Sequence, residues 1–318
     1  MIGKLFDLLG IYITALVLIL LGMLISDEFL TAQNQLSILN AIALLGMTSV
    51  GMTFITYSGN MADLSIPSIM AFSGIMAVAF LSLGLIPALL IGLISGMAIG
   101  AMNGWVVGRF NANPILWTLA VSFFMEGFMR FTWSNNQVYP DVPGTAGDSF
   151  VGLFRLKVGP VPLIVIVMFL LFCAGHVVLT WTRFGAMTRL VGSSRQASWV
   201  SGVRVRRIIL LNFLLASFCA SVAGMFITSM NKLGVFYLGK GYDFKSVTAV
   251  VLGGVMLSGG KGNMLGVLGG VLVMGLLSNI LTFMGVNTFQ QDIVTGSIFI
   301  TVVGLHQLRL RSQGRDHA

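Results

Sequence analysis

The charged side chains inside the long apolar stretches of this sequence are the first candidates for chemistry. Glu126 and Arg130 stand four residues apart, which places both on one face of a helix and lets them pair. This spacing fits either a structural ion pair near a helix end or a contact for a solute, because charges inside a membrane usually face a partner or a cavity. Asp63 begins the sequence Asp-Leu-Ser ahead of an apolar run, where its carboxylate could cap a helix or line a pathway. The same two roles are open to Asp292, near the start of the last apolar run, and capping is the favoured interpretation.

Two asparagines, Asn103 and Asn279, lie in glycine-rich apolar stretches. Small residues at four-residue spacing allow close helix packing, which is the default interpretation of these stretches. The amides could also bond across helices or bind a hydroxylated solute. The sequence thus predicts a set of polar residues on a translocation pathway: Asp63, Ser65, Asn103, Glu126, Arg130, Asp243 and Asn279.

Other chemistries have no support in the sequence. Residues 258–263 (SGGKGN) look phosphate-binding, but a Walker A loop needs Gly where Val255 stands and Ser or Thr where Gly262 stands. His176, His306 and His317 are scattered and do not belong to a cluster of His, Cys and carboxylates with metal-ligand spacing. We therefore expect no nucleotide bound by this chain, no metal, no cofactor, no nucleic-acid partner and no enzymatic activity.

The composition is that of a membrane protein. Of 318 residues, 18 are Lys or Arg and 10 are Asp or Glu, giving a net charge of +8, whereas 56% are hydrophobic. A soluble domain could not hide this much apolar surface behind so few charges. The apolar runs are continuous rather than alternating, which predicts helices and not a barrel. We expect a single transmembrane domain over residues 1–318.

The apolar runs predict about ten transmembrane helices in an all-α polytopic fold. They cover roughly residues 8–26, 37–57, 66–83, 86–108, 114–133, 160–182, 208–230, 245–258, 264–284 and 289–308. The eighth is short and glycine-rich, so a re-entrant segment would lower the count. Basic residues concentrate in loops that stay in the cytoplasm, and most of them do so here if both termini are cytoplasmic. The loop 134–158 is then periplasmic, and the loop 183–207, with six arginines and no acid, is cytoplasmic.

The chain resembles itself at an offset of 173 to 180 residues. Residues 51–56 resemble 224–228, and residues 63–76, which begin with Asp63, line up with 243–256, which begin with Asp243. Such matches predict an internal duplication. Duplicated halves around a midplane pathway are a common plan of transporters.

The arginine-rich loop contains a segment bounded by glycines, residues 192–202 (GSSRQASWVSG), which predicts a short amphipathic helix. The loop could serve as a positive-inside signal that attracts anionic lipid. Alternatively, Arg189, Arg195 and Trp199 could present this helix to a soluble partner.

Taken together, several segments resemble the permease subunits of bacterial ABC importers of the ribose/galactose type, nearly from end to end. The segments are Asp63-Leu-Ser65 with Ser68 and Gly74; Asn103-Gly104, Pro114 and 115–119 (ILWTL); Gly192, Ala197 and 201–205 (SGVRV); and 239–243 (GKGYD), 249–254 (AVVLGG), 258–262 (SGGKG) and Gly266. The sequence departs from the family pattern at Asn60-Met61, Pro67, Ser194 and Glu126. These departures bear on the solute more than on the fold.

The resemblance implies a division of labour among several chains. Two permease subunits, identical or not, form the pathway in the lipid bilayer, two ATPase subunits bind from the cytoplasm, and a periplasmic binding protein delivers a sugar or related polyol. The loop 183–207 is implied to couple the ATPase to the pathway. Its coupling residues are Arg189, Gly192, Ser194, Arg195, Ala197, Trp199, Ser201, Gly202 and Arg204. The alternative is an ion-coupled secondary transporter that works without ATPase partners.

Overall fold

The computed structural model describes residues 2–141 and 145–315, most of which are helical. In chain order the helices are α1 (Ile2–Ile25), α2 (Ala32–Tyr57), α3 (Ile66–Ala79), α4 (Leu85–Phe110), α5 (Pro114–Thr132), α6 (Thr145–Arg155), α7 (Leu163–Trp181), α8 (Arg183–Ser193), α9 (Arg195–Val200), α10 (Val205–Asn231), α11 (Tyr242–Leu252), α12 (Met264–Phe283) and α13 (Thr288–Arg315). Short 3-10 turns lie at Asp27–Leu30 and Leu81–Leu83. A two-residue hairpin pairs β1 (Lys157–Val158) with β2 (Val161–Pro162) in antiparallel fashion.

This architecture confirms an all-helical membrane protein. In the part of the chain that the structure describes, six helices are long and apolar enough to cross a membrane: α2, α4, α5, α7, α10 and α12. Every one of the ten predicted spans also coincides with a helix of the structure. Hydropathy therefore located the helices correctly, although it did not give all of their lengths.

Two predicted spans are too long. α3 has 14 residues and α11 has 11. At a rise of 1.5 Å per residue these helices extend only about 21 and 17 Å, against about 30 Å for the hydrocarbon core. α11 stops at Leu252 because Gly254 adopts a left-handed φ of +83°, and α3 gives way to the 3-10 turn at Leu81–Leu83. Residues 66–83 and 245–258 are thus not continuous helices.

The bundle has two distinguishable ends. We call the end that carries α8, α9 and the arginines of residues 183–207 the basic end, and the other the opposite end. α2 finishes at the basic end, where the Tyr57 hydroxyl accepts a hydrogen bond from Arg189 Nε at 2.8 Å. α2 begins at the opposite end, where Asn34 contacts Asn279.

The two long helices α2 and α10 cross in the centre of the bundle, and each packs against one of the short helices. A Cβ on Gly51 of α2 would lie 2.7 Å from the Cα of Ala216 of α10, so the backbones touch directly. α3 lies against α4 and α10, whereas α11 lies against α2 and α12. A Cβ on Gly100 of α4 would lie 2.0 Å from Ser217 Oγ. Small residues therefore allow these helices to approach closely, as expected from the glycine-rich stretches.

The predicted outer loop 134–158 contains a helix, α6, that the sequence did not indicate. Its Phe150 is completely buried. The Phe150 carbonyl accepts a hydrogen bond from Ser229 Oγ at 2.7 Å, which fastens α6 to the end of α10. Residues 142–144 of this loop lie outside the described residues.

After α10 the chain turns back along α3 instead of staying at the opposite end. A Cβ on Gly234 would lie 3.1 Å from Ile75 Cα, and a Cβ on Gly239 would lie 2.5 Å from the Pro67 carbonyl oxygen. Residues 232–241 therefore run from the end of α3 toward its beginning. This return brings the start of α11, with Asp243, into the interior of the bundle.

Candidate functional site

A chain of buried hydrogen bonds joins three of the predicted pathway residues. Asp63 Oδ1 accepts the backbone N–H of Ser65 at 2.8 Å and the Ser65 hydroxyl at 2.6 Å. Ser65 Oγ accepts from Asn103 Nδ2 at 2.8 Å, and Asn103 Oδ1 accepts from Trp117 Nε1 at 3.0 Å. Asp63, Ser65 and Asn103 have no exposed surface. The chain links the start of α3 to α4 and α5.

Local sequence explains how these elements begin here. Ser65 is the N-cap of α3, and Asp63 holds the N–H of that cap residue rather than capping the helix itself. α5 begins at a proline, with the Asn113 side chain accepting two backbone N–H groups of its first turn. The N–H of Leu64 donates to Thr118 Oγ1 at 2.9 Å, which fixes the α2–α3 connection to α5.

Next to this network lies a cavity of about 820 Å³. Its walls are the start of α3, α5, residues 236–245 and α13. Its polar and charged lining residues are Ser68, Ser122, Glu126, Arg130, Lys240, Asp243, Lys245, Asp292 and Thr295. Three of these are acidic and three are basic, so the formal charges of the lining balance. Such a cavity suits a neutral polar molecule, which offers hydrogen-bonding groups but no net charge.

Two ion pairs stand in this cavity. Arg130 Nη2 lies 2.6 Å from Glu126 Oε1, with the side chains 51% and 41% exposed, and the Arg130 guanidinium lies 4.2 Å from the centroid of the Phe236 ring. The predicted pairing of Glu126 with Arg130 is thus confirmed. Lys245 Nζ lies 3.7 Å from Asp292 Oδ1. Asp292 lies inside α13, which begins at Thr288, so its interpretation as a helix cap is wrong.

The predicted pathway residues fall into three places. Glu126, Arg130 and Asp243 line the cavity. The network of Asp63, Ser65 and Asn103 lies behind its wall, to which Leu64 belongs. Asn279 does not join them. Its Nδ2 donates to Asn34 Oδ1 at 2.8 Å at the opposite end.

Sequence reasoning missed Lys240 and Lys245 as lining residues. Both flank Asp243 in the segment 240–245 (KGYDFK), and this clustering of charge around a predicted pathway acid was the available signal. This clustering did not place the lysines in the cavity by itself, because their position depends on the return of residues 232–241 along α3. That return alone puts the segment inside the bundle.

At the basic end, the predicted short helix exists as α9. The Ser194 hydroxyl caps it by accepting the N–H of Ala197 at 3.2 Å, and Ser201 terminates it. Gly202 follows with a left-handed φ of +80°. The side chain of Trp199 is 73% exposed, an unusual position for an indole at the surface of a protein.

Four of the nine residues predicted to couple to a partner line one cleft of about 880 Å³. Arg195, Trp199, Gly202 and Arg204 line it together with the start of α10. Burial lowers the pKa of the Arg195 guanidinium, because a charge half removed from water is disfavoured. Arg189 and Gly192 instead contact Tyr57 at the end of α2.

Residues 34–303 match the family described as branched-chain amino acid transport system / permease component. The chain belongs to this family of permeases. The match covers α2 through most of α13. It therefore includes the cavity, the buried network and the cleft beside α9, which we call the basic cleft.

This permease is also similar to individual named proteins over most of its length. It is 31% identical to the ribose import permease protein RbsC of Bacillus subtilis, over 93% of this chain and 91% of that protein. It is 28% identical to the D-allose transport system permease protein AlsC of Escherichia coli, over 93% and 90% of the two chains. It is 30% identical to the L-arabinose ABC transporter permease protein AraH of Azospirillum brasilense, over 96% and 89%. No solved structure matches the permease.

These matches confirm the resemblance to ribose/galactose-type ABC permeases. They support a subunit of an ATP-driven importer rather than the ion-coupled alternative. With six membrane-length apolar helices, the permease is a multi-pass protein of the inner membrane.

Proposed function

We propose that this permease forms the translocation pathway of an ATP-driven importer for a sugar or related polyol, and that the pathway runs through the cavity beside α5. The observation that carries this proposal is the lining of the cavity, which combines paired charges and hydroxyl groups with the aromatic ring of Phe236. The Glu126–Arg130 pair and the Phe236 ring under Arg130 offer hydrogen bonds and an apolar face. Sugars and polyols present matching hydroxyl groups and C–H surfaces.

A charge exchange tests the role of the cavity. In the importer reconstituted with its ATPase and binding protein, Glu126→Gln and Arg130→Gln each leave one partner unpaired, so we expect uptake to fall by about tenfold or more, given the cost of an unpaired charge. The exchange Glu126→Arg with Arg130→Glu retains the pair and should recover most of that loss. The exposed Glu28→Gln, at the turn after α1, is the control. Full uptake by both single variants would exclude this pair from the pathway.

Radiolabelled ribose, allose and arabinose serve as three probes to identify the solute, because relatives of the permease are named as transporters of these sugars. Uptake of one of them that requires both ATP and a binding protein is the expected result. Uptake by the permease alone, driven by a proton gradient, would contradict the proposal.

The basic cleft is proposed as the docking surface of a separate ATPase subunit. Its support is the exposed Trp199 on α9, which projects beside arginines and has no acidic neighbour in the cleft lining. Trp199→Asp and Gly202→Glu should leave the permease at normal membrane levels but abolish co-purification of the ATPase. Trp199→Phe, which retains an aromatic ring, should retain it. Normal ATP-dependent uptake by the Asp and Glu variants would exclude docking at α9.

A second permease subunit is proposed to cover the open side of the cavity. Arg130, Glu126 and Asp292 are about half exposed there, and contact of charged groups with lipid is expensive. We therefore expect two permease chains in the purified importer, identical or not, which the mass of the complex in detergent would reveal. A single permease chain per complex would refute this arrangement.

The topology is proposed as ten membrane segments in one domain over residues 1–318, with both termini and the loop 183–207 in the cytoplasm. The loop 134–158 is then periplasmic. We further propose an internal duplication in which α2, α3, α4 and α5 correspond to α10, α11, α12 and α13. Its support is the shared order of a long helix, a short helix and a long helix, with α2 and α10 running in opposite directions.

Cysteine labelling tests this topology. In a variant without Cys173 and Cys219, we expect an impermeant maleimide to label Asp148→Cys from outside intact spheroplasts. Gln196→Cys should react only after the membrane is opened. The reverse pattern would invert the topology.

A further inference from the structure

Three chain segments interlock at the basic end through direct contacts of their backbones. They are the turn after α2, residues 57–61, which we call the 57–61 turn; the junction of α8 and α9; and the turn between α11 and α12. The Gly260 N–H donates to the Tyr57 carbonyl at 2.9 Å. A Cβ on Gly192 would lie 2.0 Å from that same carbonyl oxygen, and a Cβ on Gly259 would lie 2.6 Å from Gly59 N. Backbone therefore rests on backbone, and the three segments have little freedom to move independently.

Two arginines of α8 and α9 also hold the 57–61 turn through side chains. Arg189 Nε donates to the Tyr57 hydroxyl at 2.8 Å, and its guanidinium lies 5.9 Å from the centroid of the Tyr57 ring. Arg195 Nη2 donates to Asn60 Oδ1, and Asn60 Nδ2 donates in turn to Ser58 Oγ at 2.7 Å. Asn60 has no exposed surface and Tyr57 is 1% exposed. Loss of one of these contacts would leave a buried polar group without its partner.

The 57–61 turn leads directly into the wall of the cavity. Thr56 Oγ1 donates to the Met61 carbonyl at 2.7 Å, and Met61 adopts a left-handed φ of +59°, which is uncommon for a residue with a side chain. Asp63 follows two residues later in the buried network, and Leu64 lines the cavity. A displacement of α9 can thus reach the cavity through one short segment in which Tyr57, Asn60 and Asp63 are buried and hydrogen-bonded.

We propose that the 57–61 turn transmits movement of α8 and α9 to the cavity wall, with Asn60 and Tyr57 as the positioning residues that Arg195 and Arg189 hold. This inference rests on the proposed function, since it takes α9 as the docking site of the ATPase and the cavity as the solute pathway. It assigns to Arg195 and Arg189 a role inside the permease, whereas Trp199 faces the partner.

The test uses the complete importer reconstituted in vesicles, with ATP hydrolysis, ATPase co-purification and solute uptake measured in parallel. Asn60→Leu removes the acceptor for Arg195 at similar volume, and Asn60→Asp retains it. For Asn60→Leu we expect normal ATPase co-purification and hydrolysis, with uptake per ATP lowered by about fivefold or more, the scale of a coupling between sites. Asn60→Asp should return uptake per ATP to near the wild-type value.

A double-mutant cycle protects this test against a variant that fails to fold. Arg195→Met alone should lower uptake per ATP to the same extent, and the double variant should be no worse than either single variant, because both remove one contact. If the two effects multiply, or if Asn60→Leu has wild-type uptake per ATP, the proposal is overturned. Loss of ATPase co-purification by Asn60→Leu would also overturn it, since the contact would then only shape the docking surface. A wild-type importer that binds ATPase but shows no ATP-dependent uptake would instead refute the proposed function.

Discussion

Replacement of Asp63 separates a supporting role of its carboxylate from direct contact with the solute. Asp63 Oδ1 is the acceptor for both the N–H and the hydroxyl of Ser65, and it does not line the cavity. Asp63→Ala leaves these two donors without an acceptor in a fully buried place. An unsatisfied buried donor costs about 1–3 kcal/mol, so we expect the variant to lose about 2–4 kcal/mol of folding stability. This exceeds the ~1 kcal/mol typical of an exposed helix cap.

Asp63→Asn is the matched substitution, because its side-chain oxygen can accept the same two hydrogen bonds. Oδ2 of Asp63 has no hydrogen-bond partner among the residues that the structure describes, so the substitution adds an amide donor without an acceptor there but removes a buried charge, and the two effects oppose each other. We expect a stability within about 1 kcal/mol of the wild type.

Thermal unfolding of the purified permease in detergent measures these differences, and uptake of the transported sugar probe is measured at equal membrane levels. The exposed Asp141→Ala is the control and should change neither quantity. If Asp63→Ala unfolds at the wild-type temperature but changes the preference among ribose, allose and arabinose, the supporting role is refuted and Asp63 contacts the solute. If Asp63→Asn is as unstable as Asp63→Ala, the negative charge itself stabilises the fold.

Two further predictions concern the packing of the bundle. Gly100→Ala should lower the unfolding temperature by several degrees, because the new Cβ would lie 2.0 Å from Ser217 Oγ, whereas Gly127→Ala, which has no neighbour within 4 Å in α5, should raise stability by up to about 1 kcal/mol. Equal effects of the two substitutions would contradict this account of the helix contacts. Asn279→Ala should cost about 1 kcal/mol through the lost bond to Asn34 and leave the preference for sugars unchanged in uptake assays. A changed preference would place Asn279 on the pathway, as the sequence predicted.

Contacts within one helix were predictable because the helix period fixes them. Glu126 and Arg130 are four residues apart, and a helix brings them together whatever surrounds it. The positions of the helices were predictable for a related reason, since a continuous apolar run has to satisfy its own backbone hydrogen bonds in lipid. The short helix α9 was predicted from the glycines that bound residues 192–202.

Contacts between distant segments could not be read in this way. Asn34 and Asn279 are 245 residues apart, and no local pattern of one sequence pairs them. Residues 232–241 carry two lysines and three glycines beside five apolar or aromatic residues, a mixture that does not indicate where the segment lies. Glycines 234 and 239 allow the backbone to touch α3, so the segment enters the bundle. The pairing of Asp292 with Lys245 depends on this entry into the bundle. The sequence did not predict it, and Asp292 was interpreted as a cap instead.

The charge arrangement of the cavity also bears on where the driving energy enters. Glu126 is paired with Arg130 in the cavity, and Asp292 is paired with Lys245. Removing either carboxylate would leave its cation without this partner. Paired charges thus suit a cavity that binds a neutral solute and whose conformational change is driven from another part of the protein. The basic end can supply such movement, because α9 has an exposed face on one side and is bonded on the other to the 57–61 turn. This turn ends three residues before Leu64, which lines the cavity.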